Sequence, residues 1–137
     1  MATRVDIQKI TRQHAVVKAV AVTGGYANVD LGNLKYNDQT FDAANAKVDI
    51  NGVYFCIDGS NHTHVYRNNN TVLLLNGSDN WNFSSSTGFA VNDYNSANIS
   101  IFFGTGTNSS NGTVILSLSK TAGYIDPDRQ ILQQPDR

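Results

Sequence analysis

The residues able to do chemistry are few, and their spacing limits what they can do. His62-Thr63-His64 sets two imidazoles on one side of a strand, a spacing that can chelate zinc. A site needs a third and fourth ligand, and only His14 and Cys56 offer themselves; two histidines in a polar loop is the plainer reading, and no metal is expected. The chain contains no glutamate, so paired Glu residues for general acid–base work are missing. Asp79 and Asp93 sit in turn-like contexts, where Asp usually bonds its own backbone. Cys56 lies inside the apolar run Val53-Tyr54-Phe55-Cys56-Ile57, which predicts a buried, inert thiol. Gly104-Thr105-Gly106-Thr107 has the look of a phosphate loop but lacks the following helix and lysine. No nucleophile elbow or dinucleotide fingerprint occurs. The expectation is no catalytic residue and no cofactor.

One segment carries binding chemistry. Asp79-Asn80-Trp81-Asn82-Phe83 sets aromatic rings beside amides and a carboxylate. Rings stack on the apolar face of a pyranose and amides bond its hydroxyls, so Trp81, Asn80 and Asn82 are candidate glycan-binding residues. A lone Trp equally serves as a core or interface anchor.

The elements that must position these residues read as β throughout. His14 to Val22 alternates, with Val16, Val20 and Val22 on one face and Val17 with three alanines on the other; Gly24-Gly25 ends it. Tyr26 to Leu31 also alternates, whereas Asn33 to Ala44 is polar and loop-like. Ala46 to Ile57 holds two strand-like pieces around Asn51-Gly52. That pair signals either a hairpin turn or a bulge that switches the buried face. His64–Arg67 and Thr71–Leu75 flank Asn68-Asn69-Asn70, which predicts a hairpin with a three-residue loop. Leu73-Leu74-Leu75 lacks polar alternation and suggests a strand covered on both faces. Ile99, Ile101, Phe103 and Val114, Leu116, Leu118 form two apolar faces joined by a Gly/Asn/Ser linker, read as an antiparallel hairpin with a long tip. Val5 to Gln13 could form a short helix capped by Thr3, with Ile7 and Ile10 three apart. The predicted fold is all-β: a single antiparallel sandwich or barrel of about seven to nine strands. It divides into an N-terminal arm (1–13), a β-sandwich domain (14–124) and a C-terminal extension (125–137).

Charge is scarce and unevenly spread. From Ser60 to Ser119 the formal charges are Arg67, Asp79 and Asp93 alone, so solubility must come from Asn, Ser, Thr and Gly. Residues 1–20 carry Arg4, Lys9, Arg12 and Lys18 against Asp6. Basic residues confined to one short segment without interleaved aromatics argue against nucleic acid. Ala19 to Val22, the longest apolar run near the start, is too short to span a membrane, and no signal-peptide core follows Met1. The seven Asn-x-Ser/Thr sequons are what this composition generates by chance. One cysteine permits no intrachain disulfide and suits synthesis in a reducing cytoplasm.

Two stretches resemble a known class. Arg4-Val5-Asp6 through Thr11-Arg12-Gln13-His14-Ala15-Val16-Val17-Lys18, and Gly112-Thr113-Val114-Ile115-Leu116-Ser117-Leu118-Ser119-Lys120-Thr121-Ala122-Gly123-Tyr124, are similar to small virion structural proteins of tailed bacteriophages, of the marine and cyanobacterial phage type. The resemblance implies a β-rich capsid-associated protein without enzymatic activity, such as a head decoration or cement protein made in the host cytoplasm and residing in the virion. A neck or tail component is the nearest variant, and a glycan-binding module on the virion surface another. The expected partners are the major capsid protein or other virion proteins and further copies of the chain, a trimer being one option. Terminal arms suit such bridging, because extended segments cover much surface for their length. Arg4, Lys9 and Arg12 would meet acidic capsid surface, with Ile7, Ile10, Ile131 and Leu132 as apolar anchors.

Overall fold

The computed structural model describes residues 3–22, 24–58, 62–83, 90–105 and 108–127. The protein is all-β, built from antiparallel sheets that do not close into a barrel. In chain order the strands are β1 (Thr3–Ile10), β2 (His14–Ala21), β3 (Gly25–Val29), β4 (Thr40–Phe41), β5 (Lys47–Asp58), β6 (Thr63–Arg67), β7 (Asn70–Leu75), β8 (Ser78–Asn82), β9 (Ile99–Thr105), β10 (Asn108–Ser109), β11 (Asn111–Ala122) and β12 (Tyr124–Ile125). A 3-10 turn at Leu31–Leu34 begins at Asp30, whose carboxylate accepts from the Gly32 amide.

One sheet runs β1-β2-β11-β5-β8. The other runs β10-β9-β6-β7, with β3 also paired to β9, and β4 and β12 make a two-stranded ribbon. Both five-stranded sheets contribute to a single apolar cluster. On β2 the inward face is the small one: Ala15, Val17, Ala19 and Ala21 are buried, and Val16 and Val20 face outward, partly covered. Bulk comes instead from Phe55, Phe103, Leu116 and Leu118.

Asn51-Gly52 is a bulge, not a turn. β5 continues through it, with Gly52 opposite Ser117 and Ile50 opposite Leu118, so Asn51 is the extra residue. The buried parity therefore switches from Val48 and Ile50 to Val53, Phe55 and Ile57. The Asn51 amide is held by the Ser119 hydroxyl. Gly52 is required by the close pass of β8: an added Cβ would lie 2.9 Å from the Trp81 carbonyl oxygen. The same switch turns Cys56 outward, so this thiol is exposed rather than buried as its apolar neighbours suggested.

The β6–β7 hairpin forms as expected but its loop is shorter. Arg67 pairs Asn70, leaving Asn68 (φ 52°) and Asn69 (φ 61°) as a two-residue turn. Two successive left-handed residues are the type I′ geometry whose twist matches paired strands, and Asn tolerates it best after Gly. Leu73 and Leu75 face the core, whereas Leu74 is 49% exposed, because β7 lies at a sheet edge and only one of its faces is covered.

Two further expectations change. The apolar faces of β9 and β11 do not form a hairpin: β9 pairs β3, β6 and β10, while β11 pairs β2 and β5. The linker between them crosses from one sheet to the other, so the two faces meet within the shared core. Nor is the N-terminal segment a helix or a loose arm over its described length. Thr3–Ile10 pairs with β2 from Thr3↔Ala21 to Ile10↔Ala15, with a bulge between Ile7 and Lys9. Alternating Val5, Ile7 and charged residues suit an edge strand, and hydrogen bonding to β2 satisfies a backbone that a lone short helix would leave marginal.

Candidate functional site

The sequence-predicted contact residues fall into separate places. Arg4 and Lys9 are exposed on β1, Ile7 is 39% exposed and Ile10 is partly covered. Arg4 is not a bare cation, since its Nε donates to Asp6 at 3.0 Å. Arg12 is committed to intramolecular partners at the surface: Nη1 donates to Asp38 (2.9 Å) and Asp126 (2.7 Å), and Nη2 to Asp38 (3.1 Å). These carboxylates hold the guanidinium charged and raise its pKa above the ordinary value. Ile131 and Leu132, with the rest of the C-terminal extension beyond Pro127, lie outside the described residues; Ile125 itself pairs Thr40 in the β4–β12 ribbon.

Trp81 lies opposite Val53 on the edge strand β8. Its ring meets the buried Phe55 edge-on at 4.9 Å, and its indole N–H donates to Asp79 at 3.0 Å. The ring is therefore half anchor, with its polar atom already engaged. Asn80 and Asn82 are exposed beside it and line a hollow of about 180 Å³ with Asn51, Tyr54 and Ser117.

Two cations go where sequence patterning cannot send them, into the interior. Arg67 is 1% exposed. Its guanidinium donates to the carbonyls of Val48, Asn95 (2.9 Å) and Ala97 (3.1 and 2.7 Å). It thereby ties the end of β6 to β5 and to the segment before β9, where Asn95 also donates to Asp49 (2.9 Å). Burial lowers the Arg67 pKa to about 10, and it stays charged at neutral pH. Lys120 donates to the Leu34 carbonyl (2.8 Å) and to Gln39 Oε1 (3.0 Å), with its ammonium 5.0 Å from the Tyr124 ring centroid. Burial lowers its pKa to about 8. Buried Gln39 uses its whole amide: Oε1 also accepts from the Tyr36 N–H, and Nε2 donates to the Arg12 carbonyl and Asp126. Tyr124 donates to the Leu31 carbonyl at 2.6 Å, and burial raises its pKa. Buried donors engaged in this way serve to position backbone.

A larger hollow lies elsewhere, on the outer face of the β3-β9-β6-β7 sheet. Register lines up Tyr26, Phe102, His64 and Leu74 as direct cross-strand neighbours, with Asn28, Ser100, Tyr66 and Thr71 in the next row. Tyr26 stacks on Phe102 at 4.4 Å, and the His64 ring stacks on Tyr66 at 5.3 Å and 8°. Desolvation, then the proximity of His62, lowers the His64 pKa, so the imidazole is neutral at neutral pH. A groove of about 500 Å³ opens between Tyr26 and Tyr66 and is closed off by Asn68, Asn69, Asn98 and Ser100. The alternation of Tyr26, Asn28 and of Ser100, Phe102 was visible in sequence, but only the register brings the rings side by side. Among the described residues no cluster of three or more His, Cys, Asp and Glu is placed to hold a metal ion. Compared with protein-family models, curated proteins and solved structures, the chain matches none.

Proposed function

We propose that this protein is a non-enzymatic structural component of a tailed-phage virion, a head decoration or cement protein built as a β-sandwich and acting as an oligomer on the capsid. The observation that carries the reading is where the two phage-like stretches fall. Residues 4–18 occupy β1 and the start of β2, and residues 112–122 of the second stretch lie in β11, with Tyr124 opening β12; β1, β2 and β11 are three consecutive neighbours in one sheet. Sequence segments far apart in the chain thus make one continuous structural unit, which is what a resemblance rooted in a common architecture requires.

Attachment then runs through the β1 edge of that sheet, with Arg4, Ile7, Lys9 and Ile10 toward acidic and apolar capsid surface, supplemented by Ile131 and Leu132. Arg12 drops out of this set because its charge is spent on Asp38 and Asp126. A strand edge is a better-defined contact than a loose arm, since less chain entropy is lost on docking.

The test is mass spectrometry and immunogold labelling of gradient-purified particles, followed by addition of the purified protein to particles that lack it. Stoichiometric label over the head, weakened when Arg4 and Lys9 are changed to Glu, is the expected result. Absence from particles overturns the reading, and label confined to neck or tail moves it to that station.

A further inference from the structure

The groove on the outer face of the second sheet has no role in that attachment. Its rim is two tyrosine rings, Tyr26 from β3 and Tyr66 from β6, and its polar groups are Asn68, Asn69, Asn98 and Ser100. None of these carries charge, which disfavours phosphate, carboxylate or ammonium ligands. Tyr26 leans on Phe102 with one ring face, and the residue remains 56% exposed. Tyr66 is likewise backed by His64. Each ring is therefore braced from behind, so little side-chain entropy is lost when something stacks on its front.

The amides are placed by backbone that is already fixed. Asn68 and Asn69 occupy the type I′ turn directly after β6. Asn98 accepts from the Leu31 N–H at 3.0 Å through Oδ1, which orients its NH2 group. Ser100 donates to Asn28 Oδ1 at 2.7 Å and keeps lone pairs to accept with. β3 and β6 flank β9, with Tyr26 opposite Phe102 and Tyr66 opposite Ser100, so the two tyrosines stand diagonally across the sheet with their backbones about 12 Å apart. The groove volume falls within the range of about 300–1,000 Å³ usual for small-ligand sites.

We infer that this groove binds a neutral saccharide, with pyranose faces stacked on Tyr26 and Tyr66 and hydroxyls bonded by the Asn68, Asn69 and Asn98 amides. Flat rings alternating with neutral amides fit a ligand that is apolar on its faces and hydroxylated at its edges. A protein partner would be better served by a continuous apolar patch, which the four polar lining residues interrupt. The site is distinct from Trp81, whose indole N–H is already engaged.

The experiment is a glycan array of neutral di- to tetrasaccharides of glucose, galactose, mannose and the N-acetylhexosamines, followed by titration of the best binders at up to about 1 mM, the weak limit usual for small ligands. Tyr26→Ala and Tyr66→Ala should each weaken binding at least tenfold, Tyr26→Phe and Tyr66→Phe should retain most of it, and Asn69→Gly should weaken it several-fold with the turn preserved. Asn80→Ala, beside Trp81, should leave it unchanged. Thermal unfolding of every variant separates lost binding from lost fold. No neutral binder on the array, binding of acidic glycans only, or binding that survives the double Tyr26→Ala/Tyr66→Ala change overturns the inference. So does loss of binding in Asn80→Ala. The virion reading and this one fail separately: particle association is read by sedimentation, sugar binding by the array.

Discussion

Replacing Arg67 with Met removes a buried cation without emptying its space, and the cost can be worked from its bonds. The guanidinium serves three backbone carbonyls, those of Val48, Asn95 and Ala97. Methionine removes that donor from all three in a region where Arg67 itself is 1% exposed; the Asn95 carbonyl keeps the Val48 N–H, whereas those of Val48 and Ala97 lose their side-chain partner. An orphaned buried acceptor costs about 1–3 kcal/mol. Relief from desolvating the charge offsets part of the sum, so the net loss expected is about 3–5 kcal/mol, the usual cost of breaking a buried charged contact. That is a large share of the 5–15 kcal/mol typical of a domain. For a chain of this size it corresponds to a fall in Tm of roughly 10–20 °C. Arg67→Lys should fall between, since one ammonium has three donors but cannot spread them over the fork that reaches three carbonyls. Circular dichroism melts at neutral pH give the Tm, and amide exchange should show protection lost first at Ala97 and Val48, whose N–H groups bond within the clamped region. A Met variant melting within about 3 °C of the parent, with Val48 and Ala97 still protected, would refute the clamp.

Other consequences are as direct. Gly123 (φ 84°) would place a Cβ 2.2 Å from Ala46 Cα, whereas Gly77 (φ 77°) has nothing within 4 Å. Urea midpoints should therefore show Gly77→Ala costing only the left-handed strain of about 1–2 kcal/mol, and Gly123→Ala at least twice as much; equal losses would sink the clash argument. Lys120 has a folded pKa of about 8 against 10.5 unfolded, so the unfolded chain binds more protons between those values and stability rises with pH across that window. The gain, about 1–2 kcal/mol after allowance for solvent screening, should vanish in Lys120→Met; a parent-minus-variant difference flat from pH 8 to 10.5 contradicts it. Exposed Cys56 should react fully with an aromatic disulfide reagent without denaturant; a thiol that reacts only on unfolding would put the bulge at Asn51 in the wrong place.

Strands with strict alternation were readable because period two is a property of single segments: β2 lies within the stretch its sequence marks, β3 overlaps its own, and β9 and β11 contain theirs and run past them into the linker. Pairing was not readable, because it depends on residues remote in the chain. The Gly/Asn/Ser linker between Phe103 and Val114 is equally compatible with turning back or crossing the core, and local chemistry cannot choose between them. Asn51-Gly52 carried both a turn and a bulge signal; the bulge won because β11 offers a full-length partner on which β5 can continue. Burial of Arg67 and Lys120 was hidden for a related reason. Each is held by carbonyls from other elements, and a carbonyl has no signature in sequence. The candidate groove escaped notice because its members come from β3, β6, β9 and the turn between β6 and β7, each unremarkable alone.

The location of Arg67 changes what the charge-poor stretch means. Between Ser60 and Ser119 it is the sole basic residue, and it is in the core. The surface drawn from this stretch therefore has no Lys or Arg on it, and its acids reduce to Asp79, engaged with the Trp81 indole and the Asn80 amide, and Asp93. His64 adds no charge at neutral pH. Surface charge usually supplies both solubility and long-range steering toward partners. A face that gives up both, yet keeps braced aromatic rings and amides in the open, is suited to neutral, hydroxyl-rich ligands met at short range. Attachment by charge is left to the β1 edge, where Arg4 and Lys9 remain exposed. Substitutions on that edge should change the salt dependence of particle association, and substitutions in the groove should not, because only the former removes a charge that ions can screen.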